Sequence, residues 1–311
     1  MIGLKGLCRL VLRNETQQRF FSGRKNVGFR KALHQPTLFL SLLLSLVMVC
    51  LPINAEKKKL RIITLSPHSV DMLYAIGAGD SIIGTVEYSD FPKAALKIPR
   101  IGNYSGIQIE KVVELEPDVI VAWKSGNKST DLEKLESLGL NMHYTHATSI
   151  PEISNEILRL GKLTGNESQA QRVVKKLVNR YLKIKNTYAN KTPVSVFYQL
   201  WHQPLRSVGA NGWIASLIKD CGGLNLFNTV KNDYPTVSME TILEKNPQVI
   251  IIPHHSGNEG AKREIWNQWS MIDAVKTNRI FTLNGDLLHR FTPRAVDGLE
   301  QLCQRIDEAR K

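Results

Sequence analysis

The sequence lacks the short motifs that identify common catalytic and nucleotide-binding sites. Its 311 residues contain no phosphate-binding P-loop, no GxGxxG dinucleotide fingerprint, no GxSxG nucleophile motif, no HExxH zinc motif and no CxxC pair. No set of Ser, His and Asp residues stands out as a catalytic triad. We therefore expect a protein that is not an enzyme. An exported two-domain enzyme of Rossmann type is the alternative from another functional class.

Dense runs of basic residues are also missing. The net charge is +13, but residues 1–55 alone carry eight basic side chains against one acidic side chain. The rest of the chain is mildly basic, and its Lys and Arg residues are scattered. Since nucleic-acid-binding proteins concentrate basic charge on one face, we expect no nucleic acid partner.

One long apolar run, residues 37–51, lies near the start of the chain. It is short for a membrane-spanning helix, which needs about 20 apolar residues. Basic residues precede it and small residues follow it, which is the order found in a secretory signal. We expect residues 1–55 to be a signal peptide region that is cleaved after Ala55. A lipoprotein anchored at Cys50, a retained anchor and a translation start further along the chain stay open.

Cysteine is scarce, with four in the whole chain. Cleavage of the leader removes Cys8 and Cys50 and leaves Cys221 and Cys303. Two cysteines in an exported chain indicate one disulfide, because exported proteins meet an oxidising compartment. Two buried free thiols are the alternative.

The stretch 60–92 predicts the unit on which the rest of the chain is built. It contains a β-branched run, a helix with Ser69 as its N-cap, and a second apolar strand. Ligands of open α/β sheets lie outside the carboxyl ends of the strands. We therefore look for a ligand first near residues 66–69 and 87–90.

Short strands and helices alternate after this unit, which is typical of a mostly parallel sheet. A stretch without Pro or Gly, residues 167–190, then predicts one long amphipathic helix, and the alternation restarts after it. We expect an N-terminal α/β lobe (56–165), a linking helix (166–191) and a C-terminal α/β lobe (192–311). The alternative is an ordinary surface helix of a single domain.

The two predicted lobes contain an internal repeat at an offset of 130 residues. Residues 107–122 (IQIEKVVELEPDVIVA) match residues 237–252 (VSMETILEKNPQVIII), each as a short helix, a Pro-marked turn and a buried strand. Tyr104 and Tyr234 keep the same offset. We therefore expect two halves of related architecture.

Each copy of the repeat carries a glutamate in the first turn of its helix, Glu110 and Glu240. The helix dipole favours a carboxylate there, which is a sufficient structural reason for both residues. Equivalent positions in both halves also fit two acidic contacts with a two-fold symmetric partner. We expect these glutamates to dock with such a partner.

Aromatic residues recur at or just beyond the ends of predicted strands, a pattern typical of a cleft for a large planar ligand. They are Tyr88, Tyr104, Trp123, Trp201 and Tyr234, while Asp286, His289 and Arg290 follow the last predicted strand. Ordinary core positions are the alternative for the two tryptophans.

The histidines do not have the spacing of a metal site. His254 and His255 are adjacent on a predicted strand, where neighbouring side chains point to opposite faces. We expect no bound metal, and a metal-binding module that uses His254, His255 and His289 is the alternative.

Three segments resemble a known family. They are RIITLSPHSVDMLYAIGAGDSIIGTVEYSDFP (61–92), IEKVVELEPDVIVAWKSGN (109–127) and CGG (221–223). They are similar to the periplasmic vitamin B12-binding proteins of bacterial ABC importers, within the helical-backbone class III substrate-binding proteins. The similarity extends from about residue 60 to the end of the chain. It implies an α/β fold of two Rossmann-like lobes joined by a single long helix.

The resemblance also implies the ligand and the partners. Cobalamin would lie in the cleft between the lobes as transported ligand, with no resident cofactor. The partners would be the membrane permease and ATPase of an ABC importer, and the free protein would be a periplasmic monomer. Haem or a ferric siderophore is the alternative ligand for the same fold. Anionic siderophores would favour several cleft arginines, and Arg290 and Arg206 are the candidates.

Residue roles follow from the same resemblance. Glu110 and Glu240 match glutamates that dock into arginines of the permease, and Cys221 and Cys303 match a disulfide pair. Residues that match ligand-contacting positions of the family are Tyr88, Tyr104, Trp123, Tyr234 and the loop Asp286, Leu287, Leu288, His289 and Arg290, whereas Trp201 lies near a family aromatic. The Asp-Leu-Leu-His-Arg loop departs from the family, which commonly has aromatic residues after Asp and an acid before Arg. Residues 66–69 match no ligand contact, so we expect them to form a supporting loop.

Overall fold

The computed structural model describes residues 59–255 and 263–311, which belong to one compact unit. The leader and the expected cleavage after Ala55 lie outside these residues. In the described part of the chain, no helix combines the length and the apolar character needed to cross a membrane.

The first half alternates short strands and helices. Its elements are β1 (Ile62–Thr64), α1 (Pro67–Ala75), β2 (Ile82–Gly84), β3 (Gly102–Asn103), β4 (Gly106–Ile107), α2 (Ile109–Glu114), β5 (Val119–Trp123), α3 (Ser129–Ser137), β6 (Met142–Thr145) and α4 (Ile150–Thr164). Four parallel strands form one sheet in the order β2-β1-β5-β6, and β3 and β4 form a separate hairpin. The strands β1 and β5 are almost entirely buried, which accounts for their continuous apolar sequence.

The start of α1 corrects one expectation. Ser69 was the expected N-cap, but the helix begins at Pro67 and Ser66 caps it, with its hydroxyl accepting a hydrogen bond from the Ser69 amide. Proline suits the first helical position because its φ is already helical and its missing N–H would have no partner there. At the other end Gly77 has a φ of +78°, a left-handed conformation that terminates the helix.

The second half begins after the long helix α5 (Glu167–Tyr188). Its elements are β7 (Val194–Tyr198), β8 (Trp201–His202), β9 (Leu205–Arg206), α6 (Trp213–Asp220), β10 (Gly223–Asn225), α7 (Met239–Lys245), β11 (Val249–His254), α8 (Asp273–Lys276), β12 (Ile280–Asn284), α9 (Gly285–Leu288) and α10 (Ala295–Glu308). The described residues also contain short segments of 3-10 helix, Gly79–Ser81 and Lys93–Lys97 in the first half and Arg263–Trp266 in the second.

The second sheet has the same strand arrangement as the first. Its four parallel strands lie in the order β10-β7-β11-β12, and the first strand of each half is second from the edge of its sheet. The helices α2 and α7 and the strands β5 and β11 begin 130 residues apart, as the repeat predicts. The predicted fold class, two α/β halves joined by one long helix, is confirmed.

The helix α5 is bound to both halves. At its start, the Asn166 side chain donates a hydrogen bond to the Ile76 carbonyl of the first half. Further along, Arg180 donates to Asp297 and Glu300 of α10, at 2.5 and 2.7 Å. One cluster of buried side chains also includes residues of both sheets and of α5. The helix is therefore part of the core, while the exact lobe boundaries stay predictions.

The remaining cysteines form a disulfide. The sulfur atoms of Cys221, at the end of α6, and Cys303, within α10, are bonded, and both residues are fully buried. This bond confirms the expected pairing and excludes two free thiols in this structure.

Candidate ligand-binding site

A cavity of about 350 Å³ lies between the two halves. Its wall combines one residue of the first half, Trp123, with residues from three separate segments of the second half. The lining residues are Trp123, Leu200, Arg206, Val208, Gly212, Trp213, Ile214, Tyr234, His289 and Phe291. Trp123 ends β5, Leu200 comes after β7, and His289 and Phe291 come after β12 and α9. The cavity thus lies at the carboxyl ends of the parallel strands, the position expected for ligands of open α/β sheets.

Aromatic rings from both halves meet at this cavity. The ring of Phe291 contacts the rings of Trp123 and Trp213 edge-on, with centroids 6.0 and 5.3 Å apart. The Trp213 indole N–H donates a 2.5 Å hydrogen bond to the Leu288 carbonyl, which fixes that ring. Edge-on packing is the geometry that aromatic rings prefer, so this wall is rigid and apolar.

Two features of the first half hold Trp123 in position. The buried ring of His68 packs edge-on against it with centroids 5.1 Å apart. Gly126, three residues after Trp123, packs against the indole ring. A Cβ atom added to Gly126 would lie 1.9 Å from that ring. Burial lowers the pKa of His68 to about 3, so its ring is neutral at pH 7. Residues 67–69 form the first turn of α1 and not the expected loop, and His68 in this turn supports the wall from behind.

Several charged groups near the cavity are paired with one another. The Arg290 guanidinium donates to Asp90 of the first half at 2.7 Å and to Asp286 at 3.1 Å. Asp286 also pairs with His255, at 3.0 Å. A second ion pair between the halves joins Arg294 to the buried Asp71, at 2.6 Å. The Arg290–Asp90 and Arg294–Asp71 pairs join the two halves. Its two carboxylate partners leave Arg290 little charge to offer a ligand.

His289 lines the cavity as a neutral side chain. Burial, together with the nearby His255, lowers its pKa to about 4. Its Nε2 atom is hydrogen-bonded to the Tyr198 hydroxyl at 2.7 Å, and burial raises the pKa of that hydroxyl. One of the two nitrogens through which His289 could bind a metal is therefore already occupied.

Among the residues that the structure describes, no group of three or more His, Cys, Asp or Glu side chains could hold a metal ion. His255 and His289 do lie close together, with ring centroids 5.2 Å apart. His254, by contrast, has a buried Nδ1 atom without a partner.

The structure separates the predicted ligand contacts into three groups. Trp123, Tyr234 and His289 line the cavity. Tyr88, Tyr104 and Trp201 lie outside it with 68%, 86% and 59% of their surfaces exposed. The members of the Asp286 loop other than His289 do not line it either: Asp286 and Arg290 are engaged in ion pairs, and Leu287 is partly buried.

Leu288 corrects the prediction for that loop. Its side chain is fully buried, because the residue ends the short helix α9 and packs in the core. A ligand in the cleft cannot reach this side chain.

Several cavity residues were missed from the sequence. Leu200, Val208, Gly212, Trp213, Ile214 and Phe291 were not among the predicted contacts, and Arg206 was named only as a siderophore-binding candidate. Most of them lie in or next to residues 199–212, which separate β7 from α6. A long segment at the carboxyl end of a predicted strand was the sequence feature that could have indicated these contacts.

The two predicted docking glutamates are both exposed. Glu110 lies in the first turn of α2 and Glu240 in the first turn of α7. The pKa of Glu240 is lowered by a backbone N–H and by the Ser238 hydroxyl. Neither glutamate lines the cavity.

Comparison with known proteins identifies the family. Residues 62–287 match the periplasmic binding protein family model. The chain is 35% identical over 252 residues to the vitamin B12-binding protein of Vibrio cholerae. This match covers 81% of this chain and 90% of that relative.

Solved structures agree with this assignment. The periplasmic vitamin B12 binding protein BtuF of Vibrio cholerae has a TM-score of 0.75 and 35% identity, and the match covers 81% of this chain and 98% of that one. The haem-binding protein RhuT of Roseiflexus sp. RS-1 has a TM-score of 0.72 over 81% of this chain and 100% of that one. At 18% identity RhuT is similar in fold alone. The chain therefore belongs to the periplasmic binding protein family.

Proposed function

We propose that this protein binds cobalamin between its two halves and delivers it to an ABC importer. The observation that carries the proposal is the cavity walled by Trp123, Trp213, Tyr234 and Phe291 at the carboxyl ends of both sheets. A corrin is a large, nearly flat ring system, for which aromatic and apolar walls provide most of the contact. The similarity to the vitamin B12-binding protein of Vibrio cholerae supports the same ligand.

The cavity holds only part of such a ligand. Its volume of about 350 Å³ is at the lower end for a drug-sized molecule, and cobalamin is larger than that. The rest of the ligand would lie outside the cavity, and the exposed rings of Tyr88, Tyr104 and Trp201 would be its expected contacts there. Since α5 and the ion pairs join the two halves, we expect small adjustments on binding and not a wide closure.

The charge distribution favours cobalamin over the alternative ligands. Haem carries two carboxylates and many siderophores are anionic, so a site for them needs unpaired cations. Of the two arginines considered for that role, Arg290 is already paired with Asp90 and Asp286. Arg206 alone remains at the cavity, whereas anionic siderophores would favour several arginines. The Nε2 atom of His289, which could otherwise bind haem iron, is hydrogen-bonded to the Tyr198 hydroxyl.

Titration of the purified protein with cyanocobalamin tests the proposal. Quenching of tryptophan fluorescence by the corrin provides the signal, since Trp123 and Trp213 line the cavity. Haemin and a ferric siderophore serve as competing ligands. We expect saturation below about 10 μM, which corresponds to about −7 kcal/mol. Absence of cyanocobalamin binding at that concentration, or tighter binding of haemin, would contradict the proposal that cobalamin is the ligand.

Docking to the importer would use the two exposed glutamates of the repeat. We expect Glu110→Ala with Glu240→Ala to leave cobalamin affinity unchanged, because neither residue lines the cavity, and to abolish uptake through the importer. Glu114→Ala with Glu244→Ala is the matched control, since these exposed glutamates lie on the same two helices. A loss of affinity in the first variant would mean that its glutamates serve the ligand and not the permease.

The remaining parts of the proposal concern the setting of the protein. The protein acts in the periplasm after cleavage behind Ala55, as a monomer until it meets the permease and its ATPase. It binds its ligand without chemical change. Mass spectrometry of the exported protein determines the first residue, and a mature chain that begins elsewhere would correct the cleavage site.

A further inference from the structure

One permanently charged side chain lines the cavity, that of Arg206. His289, the other basic residue of the wall, is neutral at pH 7 because its pKa is lowered to about 4. Arg206 is exposed, and its guanidinium has no hydrogen bond or ion pair with any residue in 59–255 or 263–311. Arg290 differs in both respects, since it is paired twice and does not line the cavity.

The backbone around Arg206 is held on both sides. Arg206 pairs with Trp201 across the β8–β9 hairpin, and its carbonyl accepts a 2.9 Å hydrogen bond from the Leu200 amide. On the other side it forms an isolated bridge with Thr236, two residues after Tyr234. The guanidinium therefore extends from a fixed base beside the cavity, which reduces the entropy lost when it binds a partner.

We propose that Arg206 binds an anionic phosphodiester on the ligand and makes the site selective for corrinoids that carry one. This inference rests on the proposed function. Cobalamin has a phosphodiester in the nucleotide loop that tethers its lower base, whereas cobinamide lacks the whole loop. An otherwise apolar and neutral wall gives such an anion one attractive position, because guanidinium and phosphate oxygens form charge-assisted hydrogen bonds.

The size of the effect follows from the exposure of Arg206. Ion pairs at exposed positions contribute up to about 1 kcal/mol, which corresponds to a factor of about five in Kd. Salt screens such a pair, so the preference should shrink between about 0.05 and 0.5 M NaCl. A contact with the lower base alone would not depend on salt in this way.

The test compares the Kd of cyanocobalamin with that of dicyanocobinamide, measured by calorimetry on the purified protein. The variants are Arg206→Gln, which removes the charge, and Arg206→Lys, which keeps it. Arg172→Gln on α5 is the control, because it removes another exposed arginine, one that does not line the cavity. Circular dichroism and the melting temperature verify that each variant folds.

We expect Arg206→Gln to weaken cyanocobalamin binding about fivefold and dicyanocobinamide binding less than about twofold. Arg206→Lys should retain part of the preference, and Arg172→Gln all of it. Equal changes in Kd for both ligands, or no change for either, would overturn the role of Arg206. Corrinoid binding by the unmodified protein would still uphold the proposed function in that case. If the unmodified protein binds neither corrinoid, the proposed function fails first and this inference fails with it.

Discussion

The two halves share a strand order but differ in the segment that connects their first strand to the next helix. In the first half, two residues separate β1 from α1. In the second half, 14 residues, 199–212, separate β7 from α6 and include the β8–β9 hairpin. This insertion supplies Leu200, Arg206, Val208 and Gly212 to the cavity, whereas the first half supplies Trp123 alone. The repeated framework thus places the two sheets, and residues 199–212, which lie outside the repeat, supply the largest single share of the ligand wall.

Stability should also differ between the halves, because the disulfide lies in the second half. The bond closes a loop between residues 82 positions apart, and the chain-entropy model gives such a cross-link about 4.5 kcal/mol. We expect Cys221→Ala with Cys303→Ala to lower the free energy of unfolding by about this amount, measured by urea denaturation. Cyanocobalamin affinity should stay within about twofold, since neither cysteine lines the cavity. An unchanged urea midpoint would show that packing of α6 against α10 replaces the bond.

Two tryptophans allow the halves to be compared within the cavity itself. Trp213 is buried and hydrogen-bonded, so Trp213→Ala should cost about 4 kcal/mol of stability. Trp123 is only partly buried, and Trp123→Ala should cost about half as much. Both changes should weaken cyanocobalamin binding, measured by calorimetry. An equal or reversed order of the stability losses would contradict the view that the second half forms the rigid wall.

Gly126 offers a way to move Trp123 without removing it. A Cβ at this position would overlap the indole ring, so Gly126→Ala must displace the ring. We expect this variant to reproduce the binding loss of Trp123→Ala with a smaller loss of stability. Normal affinity in Gly126→Ala would mean that the position of the ring does not matter to the ligand.

Much of the fold could be predicted from local sequence patterns. The strand Val119–Trp123 is a continuous apolar run, and the helix Ile150–Thr164 has a serine N-cap, an apolar stripe and a glycine at its end. Patterns of this kind indicate a buried strand and an amphipathic helix from the sequence alone. The 130-residue repeat predicted the shared architecture of the halves. The N-cap of α1 was misassigned because Ser66 and Ser69 both precede the apolar stripe, and only the proline at the first helical position distinguishes them.

The site was harder to predict because it depends on contacts between distant residues. Trp213 and Phe291 are 78 positions apart, and only the folded chain brings their rings within 5.3 Å. Leu288 shows the opposite error, since a position in the right loop does not fix which way a side chain points. The pairing of Arg290 with Asp90, 200 positions away, was equally invisible in the sequence.

The stability that the Asp71–Arg294 ion pair gives the protein should depend on pH. Burial raises the pKa of Asp71 to about 6, although Arg294 opposes the shift. Because the folded-state pKa of Asp71 is raised, the contribution of this carboxyl to the free energy of unfolding is fully present below the unfolded value of 3.8. That contribution is lost as the pH rises through about 6. Arg294→Gln should raise the pKa further. We expect this variant to cost about 3 kcal/mol at pH 8, where Asp71 would be charged without a partner, and clearly less at pH 5.

The double variant Asp71→Asn with Arg294→Gln is the control for this prediction. It has no buried carboxyl at this position, so the cost of the double change should be nearly the same at pH 5 and pH 8. Urea denaturation at the two pH values measures both variants. A cost of Arg294→Gln that does not change with pH would show that Asp71 finds another partner when the guanidinium is removed.

The smallest expected difference lies in the caps of the two repeated helices. Ser238 caps α7 by accepting a 3.2 Å hydrogen bond from the Thr241 amide, whereas Gln108, 130 positions earlier, gives α2 no side-chain cap. Ser238→Ala should therefore cost about 1 kcal/mol, and Gln108→Ser should add about 0.5 kcal/mol. Thermal unfolding measures both, and ligand affinity should not change in either variant. If Gln108→Ser adds nothing, the backbone at the start of α2 does not fit a cap, and the two copies differ in local geometry as well as in sequence.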